Sequence, residues 1–147
     1  AQGFGGTPSF NDIAPWFVPY VNYAYTNGLT LGMGDNMFGS RGLTTANQYM
    51  TFILRSLGYS DSGDNPDFDY RTAIDDALRL GVLYSGEADT FKTTPFRRDQ
   101  MVYMSYLGLL SKMKSSETTL LQSLIDKGAV DASSAEFWVA YLNLRRR

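Results

Sequence analysis

The stretch "GLTLGMGDNMFGSRGLTTANQ", Gly28 to Gln48, decides the fold because one helical pattern ends at its start and another begins near its end. Glycine adopts the left-handed backbone of a helix end without strain, so Gly28 is predicted to stop the preceding helix. Thr44 is a typical N-cap residue and is predicted to begin the next one. The stretch is therefore interpreted as a connector between two helices.

Two loops have spacings that resemble known ligand loops. The segment Gly34 to Arg41 has the glycine spacing of a phosphate loop, but Ser40 stands where that loop needs lysine. The segment Asn65 to Asp69 alternates oxygen ligands, but Tyr70 and Asp76 stand where an EF-hand calcium loop needs glycine and glutamate. We predict a turn-rich connector and a polar linker, with no metal site.

Carboxylates elsewhere in the chain do not form a convergent pair for acid–base chemistry. Asp75 and Asp76 are neighbours in a helical pattern, so their side chains point about 100° apart. They are interpreted as a solvated helix face. Asp61 and Asp64, in the linker, leave weak divalent-cation binding open.

The chain contains an internal repeat that appears when the sequence is shifted by 53 positions against itself. Apolar and glycine positions then coincide without a gap. The coincident pairs are Ala24 with Ala77, Gly28 with Gly81, Leu29 with Val82, Phe38 with Phe91, Leu43 with Phe96, Leu54 with Leu107 and Leu57 with Leu110. Residues that match in class at such positions are expected to be buried.

Each unit is predicted to be a helix, a loop and a second helix. Repeat 1 spans about 10–58, repeat 2 about 68–113, and a shortened repeat 3, without the long loop, about 116–144. The polar linker Ser60 to Asp67 separates the first two. The fold class is therefore all-α, with residues 1–147 as one domain.

Helical spacing also predicts the buried stripes and caps. Pro15 and Pro19 confine the start of the first helix to about Pro15 to Val18, since proline is tolerated only in a first turn, and Asp69 can cap the first helix of repeat 2. Gly108, inside a helix, indicates a close helix contact. Ser133 and Glu136 form a predicted capping box. The predicted stripes are Phe17, Tyr20, Val21, Ala24 and Tyr25; Tyr49, Met50, Ile53, Leu54 and Leu57; Ala73, Ile74, Ala77 and Leu78; Val102, Tyr106, Leu109 and Met113; Leu120, Leu121, Leu124 and Ile125; and Phe137, Ala140, Tyr141 and Leu144.

Composition excludes several functional classes. The chain has no histidine and no cysteine, so a His-based acyl-transfer triad or a thiolate nucleophile cannot be built from it. A formal net charge of −2, with basic residues clustered only at Arg145–Arg147, argues against nucleic acid. No apolar run approaches the roughly 20 residues of a membrane span. We predict a non-catalytic protein without cofactors and without membrane insertion.

The residues resemble the S-layer homology (SLH) family. The resemblance rests on a pattern of Phe-x-Asp-Ile, Trp, a helix, "NGL", a glycine-rich loop ending in Phe, and a Thr-x-Ala helix start. The matching residues are Phe10, Asp12, Ile13, Trp16, Ala24, Gly28, Leu29, Gly34, Phe38, Leu43, Thr44 and Ala46. The family's second helix opens with a Thr-Arg-Ala-Glu type signature. This chain has "TTAN" in repeat 1, "RRDQ" in repeat 2 and "SSAE" in repeat 3.

The resemblance implies a pseudo-three-fold prism of three repeats. It also implies an extracellular module that anchors a secreted protein to the wall of a Gram-positive-type bacterium. The partner would be a secondary cell-wall polysaccharide, often pyruvylated, held in grooves between repeats. The residues that it assigns to polysaccharide contact are Arg98, Trp16, Asp12, Arg41, Asn47 and Gln100.

The chain also departs from the family pattern. Thr45 and Ser134 stand where two signature arginines are expected, and Asp69 stands at the position that corresponds to Trp16. Only the region around Arg98 retains the pattern of an anion site. The alternative function is a protein-interaction or self-association domain of an envelope protein that keeps the scaffold without sugar binding. Trp16 has an alternative role in packing repeat 1 against its neighbour, and Arg98 in a surface ion pair.

Overall fold

The computed structural model describes residues 10–135, which form helices joined by loops and contain no β-strand. A 3-10 turn, Pro15–Phe17, leads into α1, and a second turn, Tyr70–Thr72, leads into α3. Residues 132–135 are helical as well. The all-α class is confirmed for these residues. The helices are α1 Val18–Thr26, α2 Ala46–Ser56, α3 Ala73–Arg79, α4 Ser85–Thr93, α5 Arg98–Leu110 and α6 Leu120–Asp126.

The hydrophobic core is built mainly by α2, α3, α4 and α5. Helix α2 packs against both α3 and α5, α3 packs against α4, and α5 against α6. Val21, on α1, is buried but lies outside this core. The buried core residues are Met50, Leu54, Leu57, Phe68, Ala73, Ile74, Ala77, Val82, Leu83, Ala88, Phe91, Met104 and Leu107.

The repeat is visible in the positions of the second helices. Helices α2 and α5 coincide under the 53-residue shift, and the equivalent Leu54 and Leu107 are both buried. The burial prediction is wrong for Leu43, which is 98% exposed although its counterpart Phe96 is partly buried against the core. Phe38 is also only partly buried, and it packs on Phe10 with ring centroids 5.8 Å apart.

Helix α4 is a feature that the sequence reasoning missed, because this segment was interpreted as a loop. Its counterpart in repeat 1 is Gly32–Ser40, where Gly32, Gly34 and Gly39 have positive φ. Glycine disfavours a helix by about 1 kcal/mol per residue relative to alanine, so the glycine-rich copy remains a loop. The segment in repeat 2 contains Gly86 alone, and it forms two turns of helix that bury Ala88 and Phe91.

The helix ends confirm some predicted caps and correct others. Gly28 has φ of 70° and ends α1 as predicted. The N-cap of α2 is Thr45 instead of Thr44, since the Thr45 side chain accepts the Gln48 N–H at 3.2 Å. Ser133 is not an N-cap, because residues 132–135 are already helical and Asp131 accepts the Ser134 N–H at 3.0 Å.

Several predicted stripe positions are exposed. Tyr20 is 73% exposed, Leu78 38% and Val102 62%. The inner face of α5 instead carries Met104, Leu107 and Gly108. The inner face is defined by the start of α5 at Arg98 and by Gly108, where α5 comes close to α2. A Cβ added at Gly108 would lie 2.7 Å from Ile53 Cγ2. The predicted helix contact at Gly108 is therefore confirmed.

Some predictions fall on residues outside the described range. They include Glu136 of the capping box, the last stripe and the terminal arginines, so the extent of repeat 3 remains a prediction. Within residues 10–135, no helix combines the length and the apolar character needed to cross a membrane.

Candidate anion-binding site at the start of helix α5

The start of α5 has backbone N–H groups that no side chain caps. Arg97 is the N-cap residue, and its side chain makes no capping hydrogen bond. The first intrahelical bond runs from the Met101 N–H to the Arg97 carbonyl at 2.9 Å. The N–H groups of residues 98–100 precede this bond, so they are available to an acceptor from outside the helix.

Two arginines flank these N–H groups. Arg97 and Arg98 are both exposed, and neither side chain has a hydrogen bond or ion pair with another residue in the range 10–135. Within this described range, the surface ion pair considered for Arg98 is therefore not formed. Arg97 was not singled out from the sequence, although its position directly before the signature arginine was a visible signal. An anion here would meet a guanidinium pair and the positive end of the helix dipole.

The equivalent start of α2 is already occupied by its own side chains. The Thr45 hydroxyl accepts the Gln48 N–H, and Gln48 Oε1 accepts the Thr45 N–H at 2.9 Å. This reciprocal capping box satisfies two of the N–H groups that an anion would use. No arginine accompanies it, because Thr45 stands at the position equivalent to Arg98.

The helix start at residues 132–135 is capped by a carboxylate. Asp131 accepts the Ser134 N–H at 3.0 Å and a hydrogen bond from the Ser133 hydroxyl at 2.5 Å. The Ser133 hydroxyl hydrogen bond lowers the pKa of Asp131 most, followed by the Ser134 N–H. The residue therefore carries a negative charge at neutral pH, and that charge repels a second anion. Of the three helix starts compared, only that of α5 combines free N–H groups with cations.

Gln100 lies in the first turn of α5, two residues after Arg98. Its Nε2 donates to the Thr94 hydroxyl, and its Oε1 is buried without a hydrogen bond in the described part of the chain. A buried carbonyl oxygen without a donor is uncommon. Gln100 therefore offers an unused acceptor beside the arginine pair.

Trp16 lies on a different part of the surface, in the turn before α1. The indole is 69% exposed and makes an edge contact with Phe17. Tyr23, on α1, is 67% exposed as well. Arg41 is exposed in the connector. Within residues 10–135, no hydrogen bond or ion pair joins Trp16 or Arg41 to Arg98, and none of the six assigned residues bonds to another.

Asp12 holds the glycine-rich connector of repeat 1. Its carboxylate accepts the N–H groups of Phe38, Gly39 and Ser40 at 2.7, 2.8 and 2.9 Å. The Phe38 N–H is the main cause of a pKa below the ordinary value of 3.8, and the other two N–H groups lower it further against the opposing effect of desolvation. These bonds use both carboxylate oxygens, which identifies Asp12 as a residue that positions the loop.

Asn47 connects two helical segments. Its Nδ2 donates to the Arg71 carbonyl at 2.8 Å, and its Oδ1 accepts the Ile74 N–H at 3.0 Å. Both ends of the amide are thus engaged between α2 and the start of α3. The side chain contributes to packing between repeats, which the "TTAN" pattern alone did not indicate.

Comparison with known proteins identifies one segment. Residues 9–45, about a quarter of the chain, match the S-layer homology domain model. This match confirms the resemblance over residues 9–45, which belong to the first repeat. No curated protein and no solved structure matched the chain.

The S-layer homology class defines a general role. Domains of this class are non-catalytic modules that anchor proteins to the bacterial cell wall and generally bind cell-wall polysaccharide. Domains of this class are generally associated with the surface or wall of bacteria.

Proposed function

We propose that the protein anchors itself to the bacterial wall by binding an anionic group of a cell-wall polysaccharide at the start of α5. The observation that carries this proposal is the uncapped helix start with two arginines, Arg97 and Arg98, that pair with no side chain in the described part of the protein. The S-layer homology match at residues 9–45 supports the wall as the location. The polymer is a secondary cell-wall polysaccharide of a Gram-positive-type bacterium, and a pyruvyl carboxylate is the proposed anion.

The chemistry of the site suits a carboxylate. A guanidinium donates two parallel hydrogen bonds to a carboxylate, and the free N–H groups of a helix start add further donors. Asp99 lies in the first turn and opposes the anion by repulsion. Because the site is exposed, each contact is screened by water and salt, so several sites or a long polymer are needed for firm anchoring.

The other assigned residues have different proposed roles. Trp16 presents an exposed ring on which a sugar can stack, and Arg41 adds a cation in the same repeat. Gln100 contacts the sugar beside Arg98 in this proposal, which requires its buried carbonyl oxygen to turn toward the ligand. Asp12 and Asn47 act by positioning backbone segments. A pseudo-three-fold prism of three repeats, as one domain over residues 1–147, is the arrangement that we propose for these parts.

The test is sedimentation with purified cell walls. We expect the wild type to pellet with walls, and Arg98→Ala to reduce the bound fraction strongly. Lys127→Ala is the matched control, because it also removes one exposed charge, at the end of α6. Removal of pyruvyl groups from the walls should have the same effect as Arg98→Ala. Wild-type protein that stays in the supernatant, or equal binding by Arg98→Ala, would show the proposal to be wrong.

A second candidate function is self-association through repeat 1. Its surface carries large apolar side chains that are mostly exposed. They include Trp16 at 69% exposure, Tyr20 at 73%, Tyr23 at 67% and Leu43 at 98%. Exposed apolar patches of this kind mark interaction sites in many proteins. Sedimentation equilibrium at high concentration tests it, since a strict monomer contradicts self-association.

A further inference from the structure

A groove lies at the opposite end of α5 from the arginine pair. Its volume is about 540 Å³, and it opens between the residues after α3 and the turn after α5. Twelve residues separate Arg98 from Leu110, which lines the groove, so the two ends of α5 lie about 18 Å apart at 1.5 Å per residue. The groove therefore belongs to a different surface from the proposed anion site.

Aromatic rings and hydroxyl groups line this groove. Tyr84 is 69% exposed, whereas Tyr59 is partly buried against the core and therefore held in place. The Tyr59 hydroxyl and the Ser115 hydroxyl make no hydrogen bond within residues 10–135. Rings that offer an apolar face beside free hydroxyls suit a ligand that has both C–H faces and hydroxyls.

The charge in the groove is balanced. Lys112 and Glu117 both line it and form an ion pair with each other. The two opposite charges balance, so the lining carries no net charge that would favour an anion or a cation. This differs from the start of α5, where Arg97 and Arg98 have no ion-pair partner among residues 10–135.

The turn that forms one wall of the groove has an unusual backbone. Ser115 has φ of 55°, in the left-handed region that side chains other than those of Gly, Asn and Asp seldom adopt. The turn is anchored on both sides: the Lys114 N–H donates to the Leu57 carbonyl at 2.8 Å, and the Leu120 N–H to the Ser111 carbonyl at 3.1 Å. A strained residue in an anchored turn is a common feature of binding sites.

We propose that this groove binds an uncharged sugar unit. One sugar face stacks on Tyr84, and the sugar hydroxyls bond to Tyr59 and Ser115. A volume of about 540 Å³ accommodates one or two sugar rings. The site is independent of the anion site. The protein would therefore hold a polysaccharide at one charged sugar unit and one uncharged sugar unit, or bind a neutral glycan alone.

The experiment is titration of isotope-labelled protein with cellobiose and with di-N-acetylchitobiose, followed by amide chemical shifts. We expect saturable shifts for at least one sugar at Gly81, Tyr84 and Ser115. Tyr84→Ala should weaken the affinity about tenfold, since a stacking ring contributes on that scale. Tyr70→Ala is the matched control, because Tyr70 is 54% exposed but does not line the groove.

A second variant separates binding from folding. Ser115→Gly relieves the positive φ, so we expect it to unfold at a higher urea concentration while binding the sugar about fivefold more weakly. The absence of saturable shifts with either sugar, unchanged affinity in Tyr84→Ala, or shifts confined to the start of α5 would each overturn the proposal. Retained sugar binding in an Arg98→Ala protein that fails to sediment with walls would support both sites, whereas wall binding without any groove shifts would contradict this site alone.

Discussion

The guanidinium of Arg55 and the carboxylate of Asp61 form a bidentate pair, with Nε–Oδ1 and Nη2–Oδ2 distances of 2.9 and 2.7 Å. The two side chains are only 11% and 5% exposed. Arg55 Nη1 also donates to the Leu29 carbonyl at 3.1 Å. The Arg55 side chain, on α2, thereby joins the turn after α1 to the linker between the first two repeats. This pair removes Asp61 from the weak cation site that the sequence left open.

Substitution Asp61→Ala is expected to destabilise the protein strongly. It leaves the Arg55 guanidinium buried without its partner, and loss of one member of a buried pair costs about 3 kcal/mol or more. Urea unfolding followed by circular dichroism measures this change. Asp64→Ala is the control in the same linker, because Asp64 is exposed and its effect should stay within about 0.5 kcal/mol. Equal midpoints for the two variants would contradict the structural role of the pair.

Substitution Gly108→Ala tests the contact between α5 and α2. Alanine favours a helix by about 1 kcal/mol over glycine. The new Cβ would lie 2.7 Å from Ile53 Cγ2, however, and overpacking costs about 1–3 kcal/mol. We expect urea unfolding to show that Gly108→Ala is destabilised. We expect this destabilisation to be smaller when Ile53→Ala is combined with Gly108→Ala. Gly86→Ala is the control, since nothing lies within 4 Å of its added Cβ and stabilisation is expected.

The sequence predicted both second helices, and it predicted the buried face of α2 better than that of α5. The stripe with Met50, Leu54 and Leu57 is buried as periodicity indicated, because α2 is a long amphipathic helix with one core face. Leu43 shows the limit of repeat alignment. A match with Phe96 predicts a shared residue class, but burial depends on which segments lie above that position, and the connector of repeat 1 lies away from the core.

The candidate site was predictable in part. The arginine at the start of α5 follows from repeat alignment, since Arg98 occupies the position of Thr45. The roles of Asp12 and Asn47 could not be predicted from the pattern. Each bonds to backbone groups 24 or more residues away in sequence, at Phe38 and Arg71, and such partners are defined only by the tertiary fold.

Substitution Asn47→Ala is expected to loosen the contact between α2 and α3. It leaves the Ile74 N–H and the Arg71 carbonyl without their partner, and an unsatisfied group costs about 1–3 kcal/mol. Urea unfolding should report this loss, with the exposed Asn65→Ala in the linker as control. If Asn47 contacts the ligand instead, its variant should lose wall binding at unchanged stability, and that outcome would contradict a positioning role.

Acidification is expected to release the connector of repeat 1 from Asp12. The pKa of this carboxyl is lowered in the folded protein, first by the Phe38 N–H, so its contribution to stability is present above the unfolded pKa of about 3.8 and is lost as the pH falls through the lower folded value. Amide shifts of Phe38, Gly39 and Ser40 should therefore move together with a midpoint below 3.8. In Asp12→Asn these amides should show no such titration. A midpoint at or above the ordinary value in the wild type would contradict the three-bond geometry, because N–H donors favour the charged carboxylate.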